Sequence, residues 1–270
     1  MVLGSLLVYG SLDFPVWGDP GSPASGSVSV YYIEQSMPET AVPNMVTAVL
    51  ADFRGYDTLF ETVVIFTAGI ACLFLLRSFK PVAPKSRLFR HIPTGITLRI
   101  KEGGKLPKDS DLFERIDSVW IPHDLIVRTT ARLIIPFIQI FALYVIAHGH
   151  HSPGGGFQGG VILGASLVLY AISFNLRSAI RQIGETLTVV FCALGVFIYA
   201  GTGILSLFFS ANYLDYSALA PLLGMDHLDP ALARPHGILI VETGVGMAVM
   251  GVMTMLYYTL SSAGKYDEGL

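Results

Sequence analysis

Four ionisable side chains, Asp52, Arg54, Asp57 and Glu61, stand within ten positions of an otherwise apolar run from Val46 to Glu61. A charge at the centre of a bilayer-spanning helix costs roughly 2.5–3.5 kcal/mol on insertion scales, so such groups pair, face a cavity or sit at the interface. Asp57 and Glu61 are four positions apart, which puts both carboxylates on one helix face once a helix has begun. Two chemistries fit. One is a cation or proton relay; the other is an interfacial bend in which Arg54 neutralises Asp52 or Asp57 and Gly55 permits the turn.

A second cluster is His148-Gly149-His150-His151-Ser152-Pro153-Gly154-Gly155-Gly156-Phe157-Gln158-Gly159-Gly160. Pro153 and the glycines should break a helix ending near Ala147. Gly156, Gly160 and Gly164 then recur every four residues, the spacing that lets helices pack closely in lipid. No Lys-Ser or Lys-Thr follows the glycines, so a phosphate-cradling loop is disfavoured. Histidine changes charge near neutral pH, but this cluster has no nearby Cys or carboxylate ligands, and no metal site is expected. Glu242 is a third candidate, about a turn and a half into an apolar stretch, with Gly244 and Gly246 beside it. An intramembrane carboxylate is a functional candidate by default, and its alternative role is a hydrogen bond to neighbouring backbone. Glu185 suits the positive end of its own helix.

Other chemistries lack their parts. No Lys lies inside any apolar span, although proton-pumping half-channels often use a buried one. There is no Cys cluster, haem motif or nucleotide loop, so neither a catalytic centre nor a cofactor is expected. Cys72 and Cys192 fall inside apolar windows without metal-site spacing and read as small core residues.

The elements that must hold these groups are membrane helices. Of 270 residues, 52% are hydrophobic and 14% charged, against roughly a quarter charged in an average soluble domain. Several windows of about twenty residues are apolar on every face, the length that crosses a hydrocarbon layer of roughly 30 Å. The expected fold is all-α and polytopic, with six spans: Met1 to about Phe14, which is short; about Asn44 to Leu76, a leading helix and a full crossing joined near Arg54-Gly55; then about Leu125–Ala147, Gly156–Phe174, Glu185–Phe209 and His236–Leu260. The Pro-, Gly- and Ser-rich stretch from Pro15 to Pro43 reads as an ordered loop. The apolar N-terminus has no preceding Lys or Arg and no clear cleavage site, so no removable signal peptide is expected.

Residues 77–115 carry ten of the 17 basic residues, including Arg77, Lys80, Lys85, Lys101, Lys105 and Lys108. The short connection carrying Arg177 and Arg181 is also basic, whereas Ser210–Pro235 carries Asp215, Asp226 and Asp229 against Arg234. The positive-inside rule then puts the basic connections and both termini in the cytoplasm. The expected organisation is a two-span part at 1–80, a basic cytoplasmic linker at 81–123 and a four-span part at 124–270, without an internal repeat. Such a chain could be a fusion of two small subunits. The basic residues sit beside hydrophobic spans, and no nucleic-acid partner is expected.

Two resemblances fit that division. Gly18-Asp19-Pro20, Tyr31-Tyr32-Ile33-Glu34, Val42-Pro43-Asn44, Val46–Thr58 and Val64-Ile65-Phe66-Thr67-Ala68 resemble the E subunit of membrane-bound hydrogenases and the C-terminal end of the A subunit of Mrp-type sodium/proton antiporters. Arg128–Leu169, with its His148-Gly149-His150 and Ser152–Gly160 segments, and Gly237–Gly246 resemble the B subunit of those antiporters. The resemblance implies a non-catalytic subunit of a multisubunit Na⁺/H⁺ antiporter module in the cell's inner membrane. Its implied partners are antiporter-like proton-pumping subunits, small multi-span subunits or a hydrogenase-like redox arm, and its transported species Na⁺ and H⁺. Asp52, Arg54, Asp57, Glu61, His148 and Glu242 match motif positions and become the ion-pathway candidates. A purely structural assembly subunit is the competing reading.

Overall fold

A computed structural model describes residues 2–26, 28–77, 87–100, 112–116, 125–225 and 227–262. The expected roles of Lys80, Lys85, Lys101, Lys105, Lys108 and Asp226 fall outside these residues. The chain opens with helix α1 (Val2–Ser11), followed by a single turn, α2 (Pro23–Gly26), and then α3 (Val28–Thr40). A further turn, α4 (Met45–Ala48), runs through a π-helical stretch at Val49–Phe53 into α5 (Gly55–Leu76).

Three strands follow, β1 (Arg87–His91), β2 (Thr97–Ile100) and β3 (Phe113–Ile116). The remaining helices are α6 (Leu125–Ala147), α7 (Gly156–Phe174), α8 (Leu176–Gln182), α9 (Glu185–Phe208) and α10 (Arg234–Ser261).

Among the described residues five helices are long and apolar enough to cross a membrane: α5, α6, α7, α9 and α10. Their bounds lie within about two residues of the expected spans, and four of them open on a residue that the sequence displays as a marker: Gly55, Gly156, Glu185 and Arg234. The first expected span differs. With ten residues α1 extends about 15 Å, half the hydrocarbon thickness, and it is not among the five. The stretch expected as a loop between Pro15 and Pro43 instead contains α3. Tyr31 and Tyr32 of α3 pack on Phe53, with ring centroids 5.7 and 5.5 Å away. Tertiary packing of these aromatics outweighs the loop-forming composition around them.

The basic linker holds a small antiparallel sheet in the order β2-β1-β3, where only a connection was expected. Leu88 and Phe89 of β1 lie opposite Arg99 and Leu98 of β2, and Phe89 is buried. The turn between these strands places Gly95 at φ +68°, a conformation that costs glycine little.

The centre of the bundle is α10, 67% of whose span is buried, against 17% for α5. It packs on α5, α6, α7 and α9. Small residues allow this. A Cβ on Gly195 of α9 would meet the Gly244 carbonyl oxygen at 2.4 Å, and one on Gly244 would meet that of Gly195 at 2.7 Å. One buried cluster joins Val42, Ala48, Ala51 and Leu59 to Tyr199, Tyr216, Ile238, Val241 and Val245. The two halves of the chain therefore share a core.

Candidate functional site

The site begins where a membrane helix is broken. Asn44 caps α4 by accepting the Val46 amide on Oδ1 at 3.1 Å. Its side-chain amide donates to the carbonyls of Gly149 (2.8 Å) and Ser152 (2.5 Å) across the bundle. After α4 the backbone widens, so that the Arg54 amide donates to the Val49 carbonyl at 2.7 Å, five residues back. Arg54 itself leaves helical geometry at φ −119°, ψ 33°, and α5 starts afresh at Gly55. π-Helical turns of this kind are uncommon and cluster at functional sites.

Such a break strands carbonyl groups, which side chains then satisfy. Thr58 donates to the Leu50 carbonyl at 2.7 Å. Tyr216 donates to that of Ala51 and Tyr199 to that of Gly55, each at 2.9 Å. Non-helical backbone at membrane depth persists only where protein or a cavity supports it, and these two buried tyrosines supply that support.

The charges around the break fall into two groups. Arg54 pairs with Asp57, three positions on, its Nε lying 2.6 Å from Oδ2, and both are exposed. Of the two partners that the sequence offered Arg54, Asp57 is the one it meets, at a bend just before Gly55. Asp52 turns the other way, with a side chain only 7% exposed, and meets Arg234 Nη1 at 2.8 Å. The second guanidinium nitrogen of Arg234 lies 3.4 Å from Asp215 Oδ1. Asp52 Oδ2 is buried and has no partner among the described residues.

Glu242 stands opposite, on α10, at 9% exposure. Its carboxylate is walled by glycine: a Cβ on Gly149 would meet Oε2 at 2.4 Å, and one on Gly155 would meet Oε1 at 2.5 Å. The Gly156 amide, at the N-terminus of α7, faces the carboxylate. Gly155, the residue capping α7, has no side chain to cap it, so the Glu242 carboxylate stands beside an open helix N-terminus, where an anion is favoured. Its Oε2 is buried without a partner among the described residues.

A cavity of about 270 Å³ connects the two regions. Leu50, Ala51, Thr58, Glu61 and Thr62 line it from the broken helix, Gln158 from α7, Tyr199 from α9 and Glu242 from α10. Two carboxylates, two hydroxyls of threonine, a phenol and an amide thus face one space. Groups of this kind accept and pass protons or coordinate a hard cation through oxygen.

The structure therefore brings Glu61 and Glu242 to one cavity and leaves Asp57 and Arg54 paired outside it. Asp52 belongs to the Arg234 network beneath the break. His148 is exposed and stacked on Tyr144, ring centroids 4.0 Å apart, outside the cavity lining. The glycines lie where α7 meets α10. A Cβ on Gly156 would approach the Glu242 carbonyl oxygen at 2.0 Å, one on Gly160 that of Gly246 at 2.7 Å, and one on Gly164 the Met253 Cβ at 3.0 Å. Among the described residues no group of three His, Cys, Asp or Glu side chains is arranged to hold a metal.

Sequence reasoning did not select Arg234, Tyr199, Tyr216 or Asn44. Arg234 carried a signal, as the lone cation of an acidic loop ending at a membrane helix. The tyrosines carried none, since a phenol in an apolar span also suits an interface.

Apolar helices around a broken segment, with two carboxylates lining one internal cavity, define a multi-pass membrane protein. Comparison with known proteins places it more closely. Residues 126–255 match the family model of the domain related to the MnhB subunit of Na⁺/H⁺ antiporters. Residues 16–89 match the family model of the MBH E subunit. One chain therefore fuses a segment like the MBH E subunit to a domain like the antiporter B subunit.

Antiporter subunit mnhB2 of Staphylococcus aureus, strains Newman and COL, is 27% identical over 142 residues, covering 52% of this chain and 95% of the relative. Among solved structures, a chain of the membrane-bound sulfane sulfur reductase, an archaeal respiratory membrane complex, superposes with a TM-score of 0.65 at 26% identity, over 96% of this chain and 93% of that one. A chain of the Mrp complex from Dietzia sp. DQ12-45-1b gives 0.59 at 25% identity, over 98% of this chain and 25% of that one. Both structural relatives are parts of multisubunit membrane complexes.

Proposed function

We propose that this chain is a non-catalytic transport subunit of a multisubunit Mrp-type Na⁺/H⁺ antiporter module in the inner cell membrane, and that its cavity carries an ion or proton past Glu61 and Glu242. The observation behind the pathway is the Glu242 carboxylate, walled by Gly149 and Gly155 with Oε2 buried and unpartnered among the described residues, beside a cavity that Glu61 also lines. A buried carboxylate oxygen without a partner is costly. An ion or proton that visits the cavity would relieve it. Residues 1–80 and 124–270 act in this reading as two membrane parts joined by the basic segment 81–123, whose side is cytoplasmic. Asp52, Arg54 and Asp57 then hold the break in shape, and His148, stacked on Tyr144, takes no part in the cavity lining.

A second reading has a specific observation in its favour. The chain matches the sulfane sulfur reductase chain over nearly the full length of both, so the same subunit could couple transport to a redox arm. The pathway is common to both readings.

The test is Na⁺-dependent proton flux in inverted vesicles, with assembly checked on native gels. Glu242→Gln and Glu61→Gln should each lower flux, Glu242→Gln by roughly a hundredfold, the usual contribution of a positioned proton-transfer group. Undiminished flux in an assembled Glu242→Gln complex would rule the pathway out. Expression beside cluster-binding redox subunits, set against expression beside antiporter subunits alone, separates the two assemblies.

A further inference from the structure

Among the described residues, the helix ends away from the cavity are rich in arginine. Arg77, closing α5, meets Glu185 at the start of α9, with Nη1 2.7 Å from Oε1. Arg177 and Arg181 of α8 lie at this end, and so do Arg128 and Arg132 in the first turns of α6. The guanidinium carbons of Arg128 and Arg132 sit 5.6 and 5.7 Å from the centroid of one ring, that of Phe174 at the end of α7. Neither has an ion pair or hydrogen bond among the described residues.

Two like charges four residues apart on a helix repel one another. The ring attracts them through its quadrupole but supplies no counter-charge. Arg132 also lies seven residues beyond Leu125, which is about 10 Å along the helix axis. An unpaired guanidinium at that depth must reach up to the headgroup level. The surface nearby, Leu125, Leu133 and Ile172, is exposed and apolar, as acyl chains would require.

We infer that Arg128 and Arg132 form a headgroup site for an anionic phospholipid, with Phe174 as its floor and the lipid phosphate lying between the two guanidinium forks. Planar forks suit phosphate oxygens better than single ammonium groups do. Among the described residues of the helices at this end arginine outnumbers carboxylate, which matches a leaflet rich in anionic lipid. The lipid would bridge α6 and α7 there without taking part in the cavity at the other end.

The test uses the full chain in its purified complex, stripped of lipid in mild detergent and titrated with short-chain phosphatidylglycerol. Wild-type protein should bind it well ahead of phosphatidylcholine. Arg128→Gln/Arg132→Gln should weaken binding about thirtyfold, the product of two charges each worth roughly fivefold at a membrane surface. Arg128→Lys/Arg132→Lys should weaken it less, and Arg90→Gln in the sheet should leave it unchanged. If the double glutamine variant does not fold, each single variant should show about a fivefold loss.

Equal affinity for the two lipids, or unchanged affinity in Arg128→Gln/Arg132→Gln, would overturn the assignment. Full competition by inorganic phosphate would point to a free-anion site and overturn it as well. A double variant that sheds a neighbouring subunit while its lipid affinity holds would show that the arginines dock a protein carboxylate instead.

Discussion

Arg234 Nη1 lies 2.8 Å from Asp52 Oδ1, a contact between residues 182 positions apart. It pins the start of α10 to the π-helical turn and so joins the two halves of the chain at the point where the helix is broken. The Asp52 side chain is 7% exposed and that of Arg234 22%, so water screens the pair little. Removing one partner leaves a buried charge behind. Arg234→Gln should therefore destabilise the protein by about 3–5 kcal/mol, measured as thermal unfolding in detergent. Asp52→Asn should cost less, because Arg234 keeps Asp215. Equal losses would mean that Asp52 is the partner that matters and that Asp215, at 3.4 Å, compensates nothing.

The glycines of α7 make a graded prediction. A Cβ on Gly156 would meet backbone at 2.0 Å, one on Gly160 would meet backbone at 2.7 Å, and one on Gly164 would meet the Met253 Cβ at 3.0 Å. The two backbone contacts cannot be relieved without a shift of the helix, whereas the Met253 contact is the longest of the three and needs the least movement. Alanine at Gly156 should be the most damaging and at Gly164 the mildest, within the roughly 1–3 kcal/mol or more that overpacking costs. Gly156→Ala should also displace Glu242, so its flux should fall further than its stability loss explains. Unfolding temperatures of the three variants, set beside vesicle flux, decide the order.

These two contacts mark what could and could not be read from residue types. The break near Arg54-Gly55 and the turn from His148 to Gly160 were legible, since Gly, Pro and charged residues punctuate apolar runs. The close approach of Gly156 and Gly160 to another helix followed from their spacing, although which helix did not. The Asp52–Arg234 pair was hidden because sequence separation carries no distance, and neighbouring Arg54 was the nearer candidate. Helix α3 was hidden by the Pro, Gly and Ser around it, since packing of Tyr31 and Tyr32 on Phe53 decides its structure. The sheet at 87–116 was hidden because its charged strands lack clean alternation.

The two phenols beneath the break should be worth more than their packing. Tyr199→Phe strands the Gly55 carbonyl and Tyr216→Phe strands that of Ala51, while each ring stays in place. An unsatisfied buried acceptor costs about 1–3 kcal/mol. Each variant should lose stability on that scale, and amide exchange should rise in residues 49–58. Because both acceptors belong to one broken segment, the double variant should lose less than the sum of the two. Strict additivity would show that the break does not respond as a unit.

His150 gives the protein a dependence on pH whose sign is fixed by its place. The ring is half-buried in the turn before α7, with Nε2 2.7 Å from the Pro235 carbonyl oxygen, so Nε2 carries a proton and donates. Burial disfavours the charged ring and holds its pKa below the ordinary 6.5, although the Pro235 carbonyl pulls the other way and His151 and His236 add to the lowering. The unfolded chain therefore binds the proton more readily than the folded one. The stability is fully present above pH 6.5 and is lost as the pH falls through the lowered value of the folded state. His150→Gln keeps a donor for Pro235 but cannot titrate. The difference in unfolding temperature between wild type and His150→Gln should hold steady above pH 6.5 and shift against wild type below it. A difference that stays flat across that range would mean that His150 is charged as readily in the folded protein as in the unfolded chain.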